Sequence, residues 1–123
     1  MAPKFRAWLK ETCQMVNIRE MEYIDDKVYY ITSDTGLCTY DEFKLMLSTG
    51  IKDKNNKEIF EGDILKFTID NGFDYVVGEY GVVTYMRGAF FIVKDLTMYL
   101  ISYINSNNIE VLGNIYEDSE LLE

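Results

Sequence analysis

The chain contains no histidine, and that absence sets the first limit on its chemistry. Histidine is the commonest general base near neutral pH and the commonest metal ligand. No Ser-His or Cys-His couple can be assembled without it. Cysteine occurs only twice, at Cys13 and Cys38, in no C-x-x-C or other metal-ligand spacing. No apolar run approaches the roughly 18 residues of a membrane span. The opening M-A-P-K-F-R has no apolar segment of the kind a secretory signal carries. These absences predict a cytoplasmic protein with both thiols free and no membrane partner. Phosphate-cradling glycine loops are missing as well, since neither G-x-x-x-x-G-K-[ST] nor G-x-G-x-x-G occurs.

Basic charge is scarce in one half only. Residues 1–66 hold 10 basic and 12 acidic residues, a balance of −2, whereas residues 67–123 hold 2 and 9, a balance of −7. Nucleic-acid binders draw most of their affinity from phosphates neutralised by Lys and Arg. The net charge of −9 points the other way. It fits solubility, a basic partner, or imitation of a nucleic-acid backbone.

Turning to what is present, 123 residues suffice for one domain. Ten Tyr and seven Phe against a single Pro favour pleated sheet, where aromatics suit a half-covered surface. Phe5–Leu9 and Gln14–Ile18 read as an opening hairpin. Glu22–Ile24, the turn Asp25-Asp26-Lys27 and Val28–Thr32 form a second, closed by Ser33-Asp34-Thr35-Gly36. Residues 39–47 carry two patterns. Thr39-x-x-Glu42 resembles a capping box with Tyr40, Phe43 and Leu47 at helical spacing, yet Phe43, Leu45 and Leu47 also alternate. The reading adopted is one turn over 40–43 followed by a short strand.

The densest signals lie between Thr49 and Lys66. Asn55-Asn56 tips a polar loop, because Asn accepts positive φ better than any residue but Gly. Glu61-Gly62-Asp63 is a second reversal. From Asp63 the alternation places Leu65, Phe67 and Ile69 on one face. Tyr75–Met86 forms a long β segment, bulged or bent at Gly78 and Gly81, and Arg87-Gly88 returns the chain through Ala89–Val93. Leu96, Tyr99, Leu100, Tyr103 and Ile104 stand at helical spacing and predict a short amphipathic helix. Ile109–Leu112 is the last strand, expected beside the strand from Asp63.

Several residue sets have the composition of a site. Asp53-x-Asn55 opens like a calcium loop, but Glu58 and Ile64 occupy the places where such a loop needs Gly and Glu. Glu61 and Asp63 flank a Gly as a carboxylate pair for acid–base work or Mg²⁺, yet no third ligand follows in a matching pattern. Cys13 and Cys38 lack an activating neighbour. Tyr23, Tyr29, Tyr30, Tyr80, Tyr85, Tyr99 and Tyr103 suit either sheet packing or a protein-binding surface. No catalytic, cofactor-binding or metal-binding residue is assigned.

Three stretches together resemble the YopX family of phage and prophage proteins: Phe5-Arg6-Ala7-Trp8, the run Thr49–Ile64, and I-E-V-L-G-N-I-Y-E-D-S-E-L-L-E from Ile109 to Glu123. The chain departs from the family at Asn56, where Gly is usual, and at Leu9, where Asp often follows the Trp. It departs again at Asp118-Ser119, in place of Asn-Pro, which leaves Ser119 as an N-cap candidate. The resemblance implies phage or prophage origin, self-association, no known activity, and a mostly β fold with a barrel-like part.

The expected architecture is therefore α+β and mainly β. N-terminal β-hairpins over 1–48 are expected to pack on a small SH3-like barrel with one short helix over 49–123. The expected function is a non-enzymatic phage accessory protein without cofactors that acts through contacts with a host or phage protein, as a homo-oligomer. The alternative is a nucleic-acid-binding small barrel, drawing on Lys52, Lys54, Lys57 and Lys66, or an acidic mimic that inhibits a DNA-processing protein.

Overall fold

The computed structural model describes residues 4–34, 36–39 and 42–123, with the backbone alone at residue 29. It divides into two compact units, Met1–Leu47 and Ser48–Glu123. Eleven strands and three short 3-10 turns make up the regular structure of the described residues.

In the first unit, β1 (Phe5–Leu9), β2 (Gln14–Ile24), β3 (Lys27–Ser33) and β4 (Gly36–Thr39) form successive antiparallel hairpins. The first part of β5 (Phe43–Lys52) pairs with β1 on its other side. Asp25 and Asp26, with φ of 52° and 63°, join Ile24 to Lys27. Positive φ at both positions gives the two-residue hairpin turn whose twist matches the flanking strands. Ala7, Leu9, Ile31 and Phe43 are buried, with Val16, Ile18, Met21 and Leu45 packed against them. This cluster draws on every strand of the unit. The ladder of β2 with β3 shifts between Ile18 and Glu20, a bulge at which a strand can bend. The expected turn over 40–43 falls partly outside the described residues. At its edges Glu42 N–H donates to Thr39 O (3.0 Å), and Thr39 N–H donates to Glu42 Oε1 (2.8 Å). The Thr-Glu pair thus closes a turn, and Phe43 onward is strand.

The second unit contains the remainder of β5, then β6 (Glu58–Phe60), β7 (Asp63–Asp70), β8 (Tyr75–Met86), β9 (Ala89–Lys94), β10 (Thr97–Leu100) and β11 (Ile109–Asn114). Five of these make a sheet in the order β10-β9-β8-β7-β11, antiparallel throughout. Its core holds Ile59, Leu65, Phe67, Ile69, Val83, Ile92, Ile101 and Ile109. Leu65, Phe67 and Ile69 lie together there, as the alternation predicts. Gly78, with φ of 59°, sits opposite the shift between Phe67 and Ile69, and its N–H donates to Thr68 Oγ1 (3.1 Å). Arg87-Gly88 turns with φ of 51° and 81°.

Two expectations are corrected. The sheet is open, not an SH3-like barrel, because among the described residues β10 and β11 remain at opposite ends of the strand order. The outer edge of β11 is occupied by the chain's own loop, where Lys54 N–H donates to Ile109 O (2.9 Å). That edge is not available to close a barrel. The short helix is also absent, so the fold is β rather than α+β. Asp95, with φ of 53°, reverses the chain, and Thr97–Leu100 pairs with Lys94–Phe91 as a strand. Only a 3-10 turn, Ile101–Tyr103, follows. Leu96 is fully exposed and Tyr103 is 83% exposed, so the helical spacing there does not describe a buried face. No helix among the described residues is long and apolar enough to cross a membrane.

Candidate functional site

The stretch Thr49–Lys66 folds into a lattice of backbone caps. Asp53 is 6% exposed. Its Oδ1 accepts the N–H groups of Asn55 and Lys57, both at 2.9 Å, an Asx-type closure of the loop. Its Oδ2 accepts Val111 N–H at 2.9 Å, reaching β11 across 58 residues of sequence. Burial pushes the Asp53 carboxyl upward, but hydrogen bonds from Val111, Lys57 and Asn55, with the nearby Lys57 charge, outweigh it and hold the pKa below the usual value. Asn56 takes φ of 64° at the loop tip, and Gly62 takes 87° at the second reversal. Both turns stand where the residue types predict them.

Asp63 is 1% exposed, and its Oδ2 accepts Phe60 N–H at 2.8 Å. Its carboxylate closes the Phe60–Asp63 reversal. Gly62 links two further segments, donating to Val83 O (2.8 Å) and accepting Ile115 N–H (2.9 Å). The C-terminal stretch repeats the pattern. Asn114 Oδ1 accepts the N–H groups of Tyr116 and Glu117, and Asp118 Oδ2 accepts Asn114 N–H at 3.1 Å. A Cβ on Gly113 would lie 2.3 Å from that Asp118 oxygen, so the close approach requires glycine. Asp118, not Ser119, is the residue before the closing 3-10 turn. Its carboxylate faces back to Asn114.

The other residues weighed in the sequence fall apart in space or in role. Asp53 spends both oxygens on backbone N–H groups, and Ile64 is wholly buried. Lys54 pairs with Glu110 at 3.5 Å. Cys13 is exposed at the β1–β2 turn, Cys38 is half-buried in β4, and neither forms a disulfide. Burial first, then the charges of Glu42 and Glu11, push the Cys38 thiol pKa up, which disfavours the reactive thiolate. Tyr23, Tyr80, Tyr85 and Tyr103 are exposed, while Tyr99 packs on Phe67 with ring centres 5.5 Å apart. The Tyr29 side chain lies outside the described residues.

One surface of the second unit is only partly marked in the sequence, where Asp70–Asp74 reads as a surface loop and Tyr103 as a candidate contact. Phe73 is 97% exposed and Tyr75 76%, while Leu96, Met98 and Tyr103 are also open to solvent. The Phe73 loop is closed by an Asx-type turn, in which Asn71 Oδ1 accepts N–H groups from Phe73 (2.9 Å) and Asp74 (2.7 Å). A cleft of about 150 Å³ lies between this loop and β10, lined by Ile69, Asn71, Asp74, Met98, Tyr103 and Ile104. The Asx turn at Asn71 was a readable signal for the loop; the cleft was not, because it depends on where β10 lies.

These geometries meet a single pattern of likeness. Residues 4–123 match the YopX protein family. The chain belongs to the YopX family. Among solved structures, protein EF1440 from Enterococcus faecalis is 30% identical, with all of this chain and 99% of that one covered and a TM-score of 0.74. YopX from Bacillus subtilis is 23% identical over the full length of both chains, with a TM-score of 0.58, a likeness of fold. None of the curated proteins is similar to this YopX-family chain. The two longer stretches that resemble the family contain Asp53, Gly62, Asp63, Gly113 and Asn114, whose backbone roles are given above.

Proposed function

We propose that this YopX-family chain is a non-enzymatic phage or prophage accessory protein that works inside the host bacterial cell through protein–protein contacts and self-associates. The observation that supports this reading most is the division of labour among its side chains. The buried acids and the amide of the family-like stretches are engaged with backbone N–H groups, while Phe73, Tyr75 and Tyr103 face solvent. Solvent-facing aromatics are among the side chains that anchor protein interfaces. The test is affinity capture of the tagged protein from a lysogenic host, with light scattering on the purified chain. The expected result is a specific captured protein and a mass above the monomer. A strictly monomeric chain that captures nothing would overturn the reading.

A second reading, acidic mimicry of a nucleic acid, is favoured by residues 95–123, which contain six acidic residues and no Lys or Arg. It predicts that DNA competes with this chain for a captured DNA-processing protein.

A further inference from the structure

The two edges of the five-stranded sheet are treated differently. The outer edge of β11 is covered by Asp53 and Lys54. At the other edge, β9 is the only strand among the described residues that pairs with β10. Lys94 pairs with Thr97 across the two-residue turn, and Ile92 with Tyr99. Hydrogen-bonded pairs alternate along an antiparallel ladder, and the pair closing a two-residue turn is hydrogen-bonded. The N–H and C=O groups of Met98 and Leu100 therefore point away from β9. Exposed edges are usually blunted by Lys, Pro or a cover. The sequence T-M-Y-L of β10 has neither Lys nor Pro.

We propose that the cleft beside β10 receives an extended, lysine- or arginine-bearing segment of a partner protein, added to this edge as a further strand. The inference rests on the protein-contact reading above and specifies its site and the partner's chemistry. The outward amides of Met98 and Leu100 supply the main-chain ladder of strand addition. Tyr103, in the cleft wall, supplies an aromatic face for the alkyl stem and cationic head of Lys or Arg, and the exposed Phe73 stands on the neighbouring loop. Asp74 lines the cleft, and Asp70 closes the same hairpin opposite Tyr75.

Charge selects the occupant. Residues 67–86 and 95–123, which supply both walls, contain no Lys or Arg, and Lys94, across from Thr97, is paired with Glu79, so a cationic segment faces a net acidic surface. A nucleic acid would be repelled. A second copy docked through this same edge would set acidic wall against acidic wall, so self-association is assigned to another surface.

The probe is a fluorescein-labelled peptide of eight residues alternating Val and Lys, with a Val–Glu peptide as control. Binding is read by anisotropy at low salt and mapped by amide shifts in ¹⁵N spectra. The Val–Lys peptide is expected to bind, with shifts concentrated in residues 70–75 and 97–103. Asp74→Lys should weaken it by about tenfold or more, and Glu120→Lys, the same charge change on another segment, by less than about twofold. Met98→Pro removes an outward N–H, at an edge where proline is tolerated, and should abolish binding. If that variant fails to fold, the two charge reversals and the shift map still decide.

Absence of Val–Lys binding overturns the proposal. So does equal weakening by both charge reversals with shifts spread over the acidic surface. A dimer broken by Met98→Pro, without peptide binding, would instead assign the edge to a second copy. A lysate partner retained equally by wild type, Asp74→Lys and Met98→Pro would refute this site while leaving the protein-contact reading standing. Failure of wild type to capture any partner, in a monomeric chain, would count against that broader reading itself.

Discussion

Asp53 joins three backbone N–H groups that have no simple substitute. Replacing it with Ala leaves those donors without their carboxylate in a buried place, and the expected loss is about 3 kcal/mol in urea unfolding. Asp53→Asn should cost about 2 kcal/mol, because an amide cannot present acceptors at both oxygen positions and its NH₂ would face a donor. The same residue sets a pH response. Its folded pKa lies below the ordinary 3.8, so its stabilisation is complete above that value and is lost as pH falls through the depressed one. Wild-type urea midpoints should drop as pH falls below about 3.8, and Asp53→Asn should remove part of that drop. The turn-making half of this role was legible in D-K-N-N-K, since Asp and Asn before a reversal form local closures. The bond to Val111 was not, because nothing local in a sequence marks a partner 58 residues away.

Turns and strands were read most securely where one residue type answers one backbone demand. Asn56, Gly62, Arg87-Gly88 and Asp25-Asp26 all take positive φ, and three of these sites contain Gly or Asn. Asp25-Asp26 is the least suited of them. Changing it to Asn-Gly, the pair that best accepts positive φ at both positions, should raise stability by about 1 kcal/mol, measured by thermal unfolding. The reading failed over Leu96–Ile104, where helical spacing competed with strand pairing. The spacing is real, but Asp95 reverses the chain and β9 offers a ladder. Tertiary pairing outweighed a short periodic pattern. Barrel closure failed for a related reason. Strand order is a property of the assembled sheet, and the loop that covers β11 shows no sign of that use in its residues.

At the scale of the whole molecule, the 21 acidic residues against 12 basic ones impose self-repulsion on the folded state. The ion pairs Lys94–Glu79 at 2.5 Å and Arg19–Asp34 at 2.6 Å are both on the surface, where solvent screening leaves each a small contribution. Screening of the wider repulsion should dominate over loss of these pairs. Melting temperature is accordingly expected to rise between about 10 mM and about 200 mM sodium chloride. A fall over that range would mean that the surface pairs matter more than the net charge.

The bond between Asp53 and Val111 also orders events in time. On a ribosome the loop is made first, and its anchoring strand follows 58 residues later, a delay of roughly 3–12 s at bacterial elongation rates. Throughout that interval the Asp53 carboxylate can close its local turn but not hold β11. The second unit therefore completes itself late, and the newborn chain exposes β7's other edge to whatever passes. A released chain truncated just before Ile109 should be sensitive to protease, and extension through β11 should restore resistance.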